Sequence, residues 1–268
     1  MSAKIDYTHP IFKSEAYQKD IIPFSLIEVL KSSAKLLLSN EKSYIICSVL
    51  FPTVPTWIWT AESIGEPELS ELCECFYENF NIGNMAYYVA KPDVASAIAE
   101  IFIKEKNATL HRIQMQSFEC PEIIPPKNNY VIVERAMLDD LETIAELSRC
   151  YARECFGREM SQEDSMKEAE NIIKTPQSFV IRQNGKPVAM ARIARKTEKH
   201  VAINEVYTLP EHRCCGFAGA IVAHICKLII AEGKIPMLYA DLSNPSSNKA
   251  YTNVGFVPRG RVDEIKLE

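Results

Sequence analysis

The chain has 268 residues, 47% of them apolar and 24% charged, with a formal net charge of −5 and nine cysteines. Such a balance belongs to a globular protein with room for two modest domains. It excludes the basic footprint of a nucleic-acid binder, and no apolar run approaches the ~20 residues that span a bilayer. The N-terminal Met1-Ser2-Ala3-Lys4-Ile5-Asp6 has no apolar signal core, and the odd cysteine count forms no disulfide framework. Reduced thiols in a cytoplasm are therefore expected, with no membrane partner. Neither Cys73-x-Cys75 nor Cys214-Cys215 supplies the paired knuckles of a structural zinc site, so no metal is expected either.

In chain order, residues 1–20 read as polar and irregular. Apolar positions at Ile27, Val29, Leu30, Ala34, Leu37 and Leu38 predict an amphipathic helix over 24–38. Residues 43–51 fit either strand or helix. Thr56-Trp57-Ile58-Trp59-Thr60 reads as a strand. Pro67 opens a predicted helix to Phe80, followed by a short strand at 86–90, a helix over 92–105 and a strand over 108–118. The stretch Glu122-Ile123-Ile124-Pro125-Pro126-Lys127-Asn128-Asn129 reads as a linker, because two prolines enforce extended backbone between polar residues. A domain boundary is placed there, giving 1–127 and 128–268.

Beyond it, 130–134 reads as a strand, Asp139 or Asp140 as the cap of a helix to Tyr151, and Ser161-Gln162-Glu163-Asp164 as the start of a helix to Ile173. Strands over 178–182 and 187–195 flank Asn184-Gly185, a hairpin signal. A strand over 200–208 stops at Pro210, and Phe217, Ile221, Val222, Ile225, Leu228 and Ile229 then recur with helical spacing until Gly233. A strand over 237–242, a helix over 244–254 and a strand over 256–267 complete the chain. Residues 213–218 thus lie where a strand hands over to a helix, whose first N–H groups have no intrahelical acceptor and favour an anion.

Arg213-Cys214-Cys215-Gly216-Phe217-Ala218 fits the pattern Gln/Arg-x-x-Gly-x-Gly/Ala. Val206-Tyr207-Thr208-x-Pro-Glu-x-Arg precedes it. Asn244-Pro245-Ser246-Ser247-Asn248-Lys249-Ala250-Tyr251 follows, and then Gly255-Phe256. On these motifs residues 128–268 resemble the GNAT acetyltransferase superfamily. Segments 34–50 and 112–157 are more loosely similar to two-part GNAT proteins with a degenerate N-terminal half. The resemblance implies an α/β (α+β) fold of GNAT type: a mixed, mostly antiparallel twisted sheet flanked by helices, with a smaller α/β N-terminal domain.

It also implies acetyl-CoA as co-substrate. Val206, Tyr207 and Thr208 would line the pantetheine arm. The N–H groups of Arg213, Cys214, Cys215, Gly216, Phe217 and Ala218 would take the pyrophosphate, and Asn244, Ser247 and Asn248 would lie on the cofactor side. Tyr251 would protonate the departing thiolate, as a phenol with a reference pKa near ~10 can. The base is less defined: strict alternation aims Ala202 and Asn204 at the acceptor, and Glu205 becomes the candidate only if a β-bulge re-aims it. Where the family often has Lys or Arg, this chain has Cys214 and Cys215. The acceptor is expected to be a small-molecule or peptide amine selected by loops such as 154–160, and the family leaves room for a homodimer. A non-catalytic CoA-binding or regulatory module is the alternative, favoured by Cys214 and Cys215 and opposed by Tyr251. A thiol-redox role for Cys214-Cys215 is weaker, since no Cys-x-x-Cys occurs.

Overall fold

The computed structural model describes residues 2–49, 54–62, 64–80, 85–126, 131–175 and 177–268. In chain order the elements are β1 (Ala3–Lys4), α1 (Glu15–Lys19), α2 (Ser25–Leu30), β2 (Leu36–Ser39), β3 (Tyr44–Ser48), β4 (Thr56–Thr60), α3 (Glu66–Asn79), β5 (Ala86–Ala90), α4 (Pro92–Lys106) and β6 (Leu110–Glu119). These are followed by β7 (Glu134–Arg135), α5 (Leu141–Phe156), α6 (Gln162–Lys174), β8 (Ser178–Gln183), β9 (Lys186–Lys196), β10 (His200–Thr208), α7 (Phe217–Ala231), β11 (Ile235–Asp241), α8 (Pro245–Val254) and β12 (Val257–Leu267). The fold is mixed α/β. Most strand pairs are antiparallel; β4 with β5 and β10 with β11 run parallel.

The chain packs as two units. One comprises Met1–Phe118, Tyr239–Ser243 and Pro258–Glu268, and the other Glu119–Leu238 and Asn244–Val257. The first unit thus takes in two short segments from beyond residue 128. In it, strands run β1-β2-β3-β4-β5-β12-β6. Both faces are covered, so the strands read as nearly continuous apolar runs. Leu38, Tyr44, Ile46 and Ile58 pack with Phe76 of α3 and Phe102 of α4. On the alternate register, Ile45, Cys47, Trp57 and Trp59 pack with Phe12, Tyr17, Phe24 and Ile27.

One expectation fails here. Residues 24–38 are not one helix: α2 ends at Leu30, and Leu36–Ser39 pairs antiparallel with β3, Leu37 opposite Cys47 and Leu38 opposite Ile46. The leucine run satisfies helical spacing locally, but burial between β1 and β3 outweighs it. By contrast, 43–51, which fitted either state, resolves as strand β3 over Tyr44–Ser48.

In the second unit the order is β11-β10-β9-β8-β7. Helices α5 and α6 pack Ile144, Leu147, Ala169 and Ile172 against Val180, Met190 and Tyr207, and α7 contacts β8, β9 and β10. His224 of α7 meets Phe179 edge-on at 5.4 Å. Asn184 and Gly185 turn the β8–β9 hairpin with φ of 49° and 80°. Ser161 caps α6 by accepting from the Asp164 N–H. Asp140 stands at the N-cap of α5, yet its carboxylate makes no bond to that helix; it accepts from Met137 N and pairs with Arg182. Of the expected linker, 127–129 lie outside the described residues, as does Tyr130. The part before them is tied down: Cys120 N donates to Pro236 O and Ile124 N to Val254 O, each at 2.8 Å.

Gly255 ends α8 with φ of 109°, and a Cβ there would stand 2.2 Å from the Glu122 carbonyl oxygen. Left-handed backbone and this close approach both require glycine. Gly255→Ala is expected to cost about 2 kcal/mol or more of unfolding free energy, read by urea denaturation. An unchanged midpoint would mean that the 120–124 segment does not bear on α8 as described.

Candidate active site

Strand β10, which leads into the turn that the motifs single out, is irregular. Against β9, Asn204 lies opposite Arg192 and Tyr207 opposite Met190, so two residues of β10 face one of β9. This is a β-bulge, and Glu205 sits in it with φ of 52°. An L residue with a carboxylate pays strain for that conformation. Among the described residues, Glu41, Asn107, Asn184, Glu205 and Cys214 are the non-glycines with positive φ. Asn107 closes α4 and Asn184 a hairpin, whereas Glu205 and Cys214 mark the strand and turn that the motifs singled out.

The bulge takes Glu205 out of strict alternation. Its carboxylate is largely buried and pairs with Arg192, whose guanidinium also approaches Glu168 at 3.8 Å. Glu205 lines a cleft of about 110 Å³ together with Ser148, Tyr151, Phe156, Arg158 and Glu168. Ser148 and Tyr151 fall one turn apart on α5, so they share a face. Burial pushes the Glu205 carboxyl above the usual range; the Arg192 charge pulls it down and Glu168 pushes it up again. Tyr151 ties the neighbourhood together. Burial raises its phenol, and Cys155, Glu205 and Tyr251 add to the effect. Two candidate catalytic residues, Glu205 and Tyr251, thus lie within electrostatic reach of one side chain.

Tyr251 is buried on α8 and packs edge-on against Phe256, ring centroids 6.1 Å apart. Burial raises its phenol and Ser247 opposes the shift, so it stays protonated. Asn244 caps α8 by accepting from Ser247 N at 3.0 Å, and Asn248 Nδ2 donates to Asn244 O at 2.7 Å. Both amides therefore serve the helix start, whatever else they contact.

The ladder between β10 and β11 covers His200 to Ala202 against Ile235 to Met237, and β10 runs on to Thr208 beyond it. Val206 is half-buried there, and the buried Thr208 hydroxyl has no hydrogen-bond partner. A short turn at Pro210–His212 leads to Arg213. Its guanidinium is engaged: Nε donates to Thr208 O at 3.0 Å, and Nη2 donates to Glu154 at 2.5 Å and to the Tyr207 hydroxyl at 3.3 Å. Tyr207 in turn donates to Glu154 at 2.6 Å. Burial alone would raise the Glu154 carboxyl, but these two donors outweigh it and hold it below its usual range. Cys214 and Gly216 then turn the chain with φ of 62° and 77°, and α7 starts at Phe217 with no side-chain cap and no acidic residue in its first turn. Ala218 follows in that turn, and Cys214 and Cys215 are exposed.

The sequence did not mark Ser148, Tyr151, Glu154, Glu168 or Arg192. They come from α5, α6 and β9, and nothing local distinguishes them from ordinary helix-surface or strand residues. Glu154, expected in a loop, belongs to α5, which runs to Phe156.

Residues 141–256 match the acetyltransferase (GNAT) family. In structure the chain is similar to a GCN5-related N-acetyltransferase from Sphaerobacter thermophilus, with TM-score 0.64, 12% identity and coverage of 100% of this chain and 95% of that one. It is also similar to a GNAT-family acetyltransferase from Colwellia psychrerythraea, with TM-score 0.55, 11% identity and 100% of both chains covered. A GCN5-related N-acetyltransferase from Kribbella flavida gives TM-score 0.55 and 15% identity over 94% of this chain and 96% of its own. At such identities the likeness concerns the fold. No curated protein matches the chain in sequence. The motifs and the bulged strand before the turn lie in or beside the stretch, residues 141–256, that matches the acetyltransferase (GNAT) family.

Proposed function

We propose that this protein transfers an acetyl group from acetyl-CoA to an amine by direct attack, both substrates being bound together, and that residues 128–268 hold the whole site. The observation that carries this reading is the uncapped N-terminus of α7 at the end of a bulged strand. The residues present fit such a ligand. First-turn N–H groups of a helix favour an anion, and those of 213–218 would hold the pyrophosphate. Backbone groups of Val206, Tyr207 and Thr208 would line the pantetheine arm as an added strand does, with the orphaned Thr208 hydroxyl among them. Asn244, Ser247 and Asn248 would flank the same arm. Bound acetyl-CoA would supply the thioester carbon and the thiolate leaving group. Glu205 would take the proton that the attacking amine loses. As the carbon–sulfur bond breaks, Tyr251 would give its proton to sulfur. The free state of all nine cysteines supports a reducing, cytoplasmic setting.

A second reading, a CoA-binding module without turnover, draws on one observation: Arg213 is held by Glu154 and Tyr207 while Cys214 and Cys215 carry no positive charge. Three variants test the site, the first its place and the other two whether it turns over. Gly216→Val should weaken CoA binding at least about tenfold by calorimetry while the chain stays folded, because a β-branched residue at φ of 77° fills the turn and strains it. Equal affinity would misplace the site.

Tyr251→Phe should slow single-turnover transfer by about 10²–10⁴-fold and leave CoA affinity alone; an unaltered rate would remove the phenol from the chemistry. Glu205 acts only when ionised, and burial raises its folded pKa. Activity should therefore fall as pH drops through a point above the ordinary carboxylate range. Glu205→Gln should lower kcat/KM and abolish that acid limb; a limb that survives the substitution belongs to another group.

A further inference from the structure

We infer that the cleft beside Glu205 binds a small amino acid as the acetyl acceptor, with its amino group by Glu205 and Glu168 and its carboxylate on Arg158. This rests on the acetyl-transfer reading and names the acceptor within it. Four observations converge. The cleft is small, about 110 Å³, with walls from α5, α6 and β10, a space that suits a small molecule. Its charges balance but are separated: Glu205 and Glu168 lie by Arg192 at one place, while Arg158, also lining the cleft, has no ion-pair partner among the described residues. A plain amine would leave that guanidinium unused, and a bare carboxylate would leave the two carboxylates to share Arg192 alone.

The third observation is Ser148. The residue lines the cleft from α5, is only 5% exposed, and its buried hydroxyl has no hydrogen-bond partner. A buried hydroxyl left unpaired is costly, so the site calls for a polar ligand atom there. The fourth is that Arg158 is anchored. Gly157 N donates to Arg153 O at 3.0 Å and Arg158 N to Ala152 O at 3.2 Å, closing α5 through the left-handed backbone of Gly157. The Arg158 backbone is thus tied to the end of the helix that supplies Ser148 and Tyr151, and its exposed side chain borders the cleft from there. Phe156 and Tyr151, edge-on at 5.5 Å, give the remaining wall an apolar character that favours a small side chain.

The test pairs binding with turnover on the full chain. Glycine and alanine are compared with methylamine and ethylamine, which lack only the carboxylate. Binding is followed by calorimetry in the presence of CoA, and transfer from acetyl-CoA by thiol release. The amino acids are expected to bind and to be acetylated with the lower KM. Arg158→Gln should cut the preference for amino acid over amine by about ten- to a hundredfold, mainly in KM, the effect of losing one charge-assisted pair. Ser148→Ala should weaken amino-acid binding in the same direction, which keeps the test intact if one variant folds poorly. Amino-acid binding without transfer would keep the amino acid as the ligand of the cleft but overturn its role as acceptor together with the acetyl-transfer reading. Transfer to methylamine and ethylamine as readily as to glycine and alanine would overturn the assignment and keep that reading. Amino-acid affinity unaltered by Arg158→Gln, or no amino-acid binding at all, would overturn it outright.

Discussion

The geometry of the candidate site depends on one extra residue in one strand. Without the bulge between Asn204 and Tyr207, β10 would continue its alternation and Glu205 would point away from the side that Asn204 faces. With it, a carboxylate in left-handed backbone lies beside Arg192 and the cleft. That conformation costs about 1–2 kcal/mol. The register on either side absorbs it, since β10 is paired to β9 before and after the bulge. The strain is local, and the sheet holds it in place.

The turn that follows uses a different device. Arg213 spends its charge on Glu154 and Tyr207 and stacks over the Tyr207 ring at 5.5 Å. It fastens the end of β10 to α5. An anion arriving at α7 would therefore meet oriented backbone dipoles and little side-chain charge. Dipoles at a helix start lose less to salt than long exposed cationic side chains do once the ligand excludes water. The network also links the strand carrying Glu205 to the helix carrying Ser148 and Tyr151, so cleft and turn share a wall.

Much of the fold could be read from the chain because its patterns are local. Thr56–Thr60, Ala86–Ala90 and His200–Thr208 are strands at the expected bounds, since branched and aromatic runs between breakers leave few options. The Asn184-Gly185 hairpin and the Ser161 and Asn244 caps follow from side chains whose local bonding has one outcome. Residues 24–38 were misread because Leu36, Leu37 and Leu38 fit a helix and a buried strand equally, and only their partners in β1 and β3 decide. At the site, the turn and Tyr251 carry a sequence pattern. Glu205 could be named only on condition of a bulge, which is a property of two strands. Ser148, Arg158, Glu168 and Arg192 acquire meaning from where α5, α6 and β9 bring them, and no spacing along the chain encodes that.

The division of the chain into units has its own consequence. The backbone passes from one unit to the other at 118–119, returns at 238–239, leaves again at 243–244 and returns once more at 257–258. No single peptide bond can be cut to release either unit whole. A fragment beginning at 128 would also forfeit Cys120 and Ile124, the donors to Pro236 and Val254. Any shortening or transplantation of one unit must therefore reckon with four crossings of the chain rather than one.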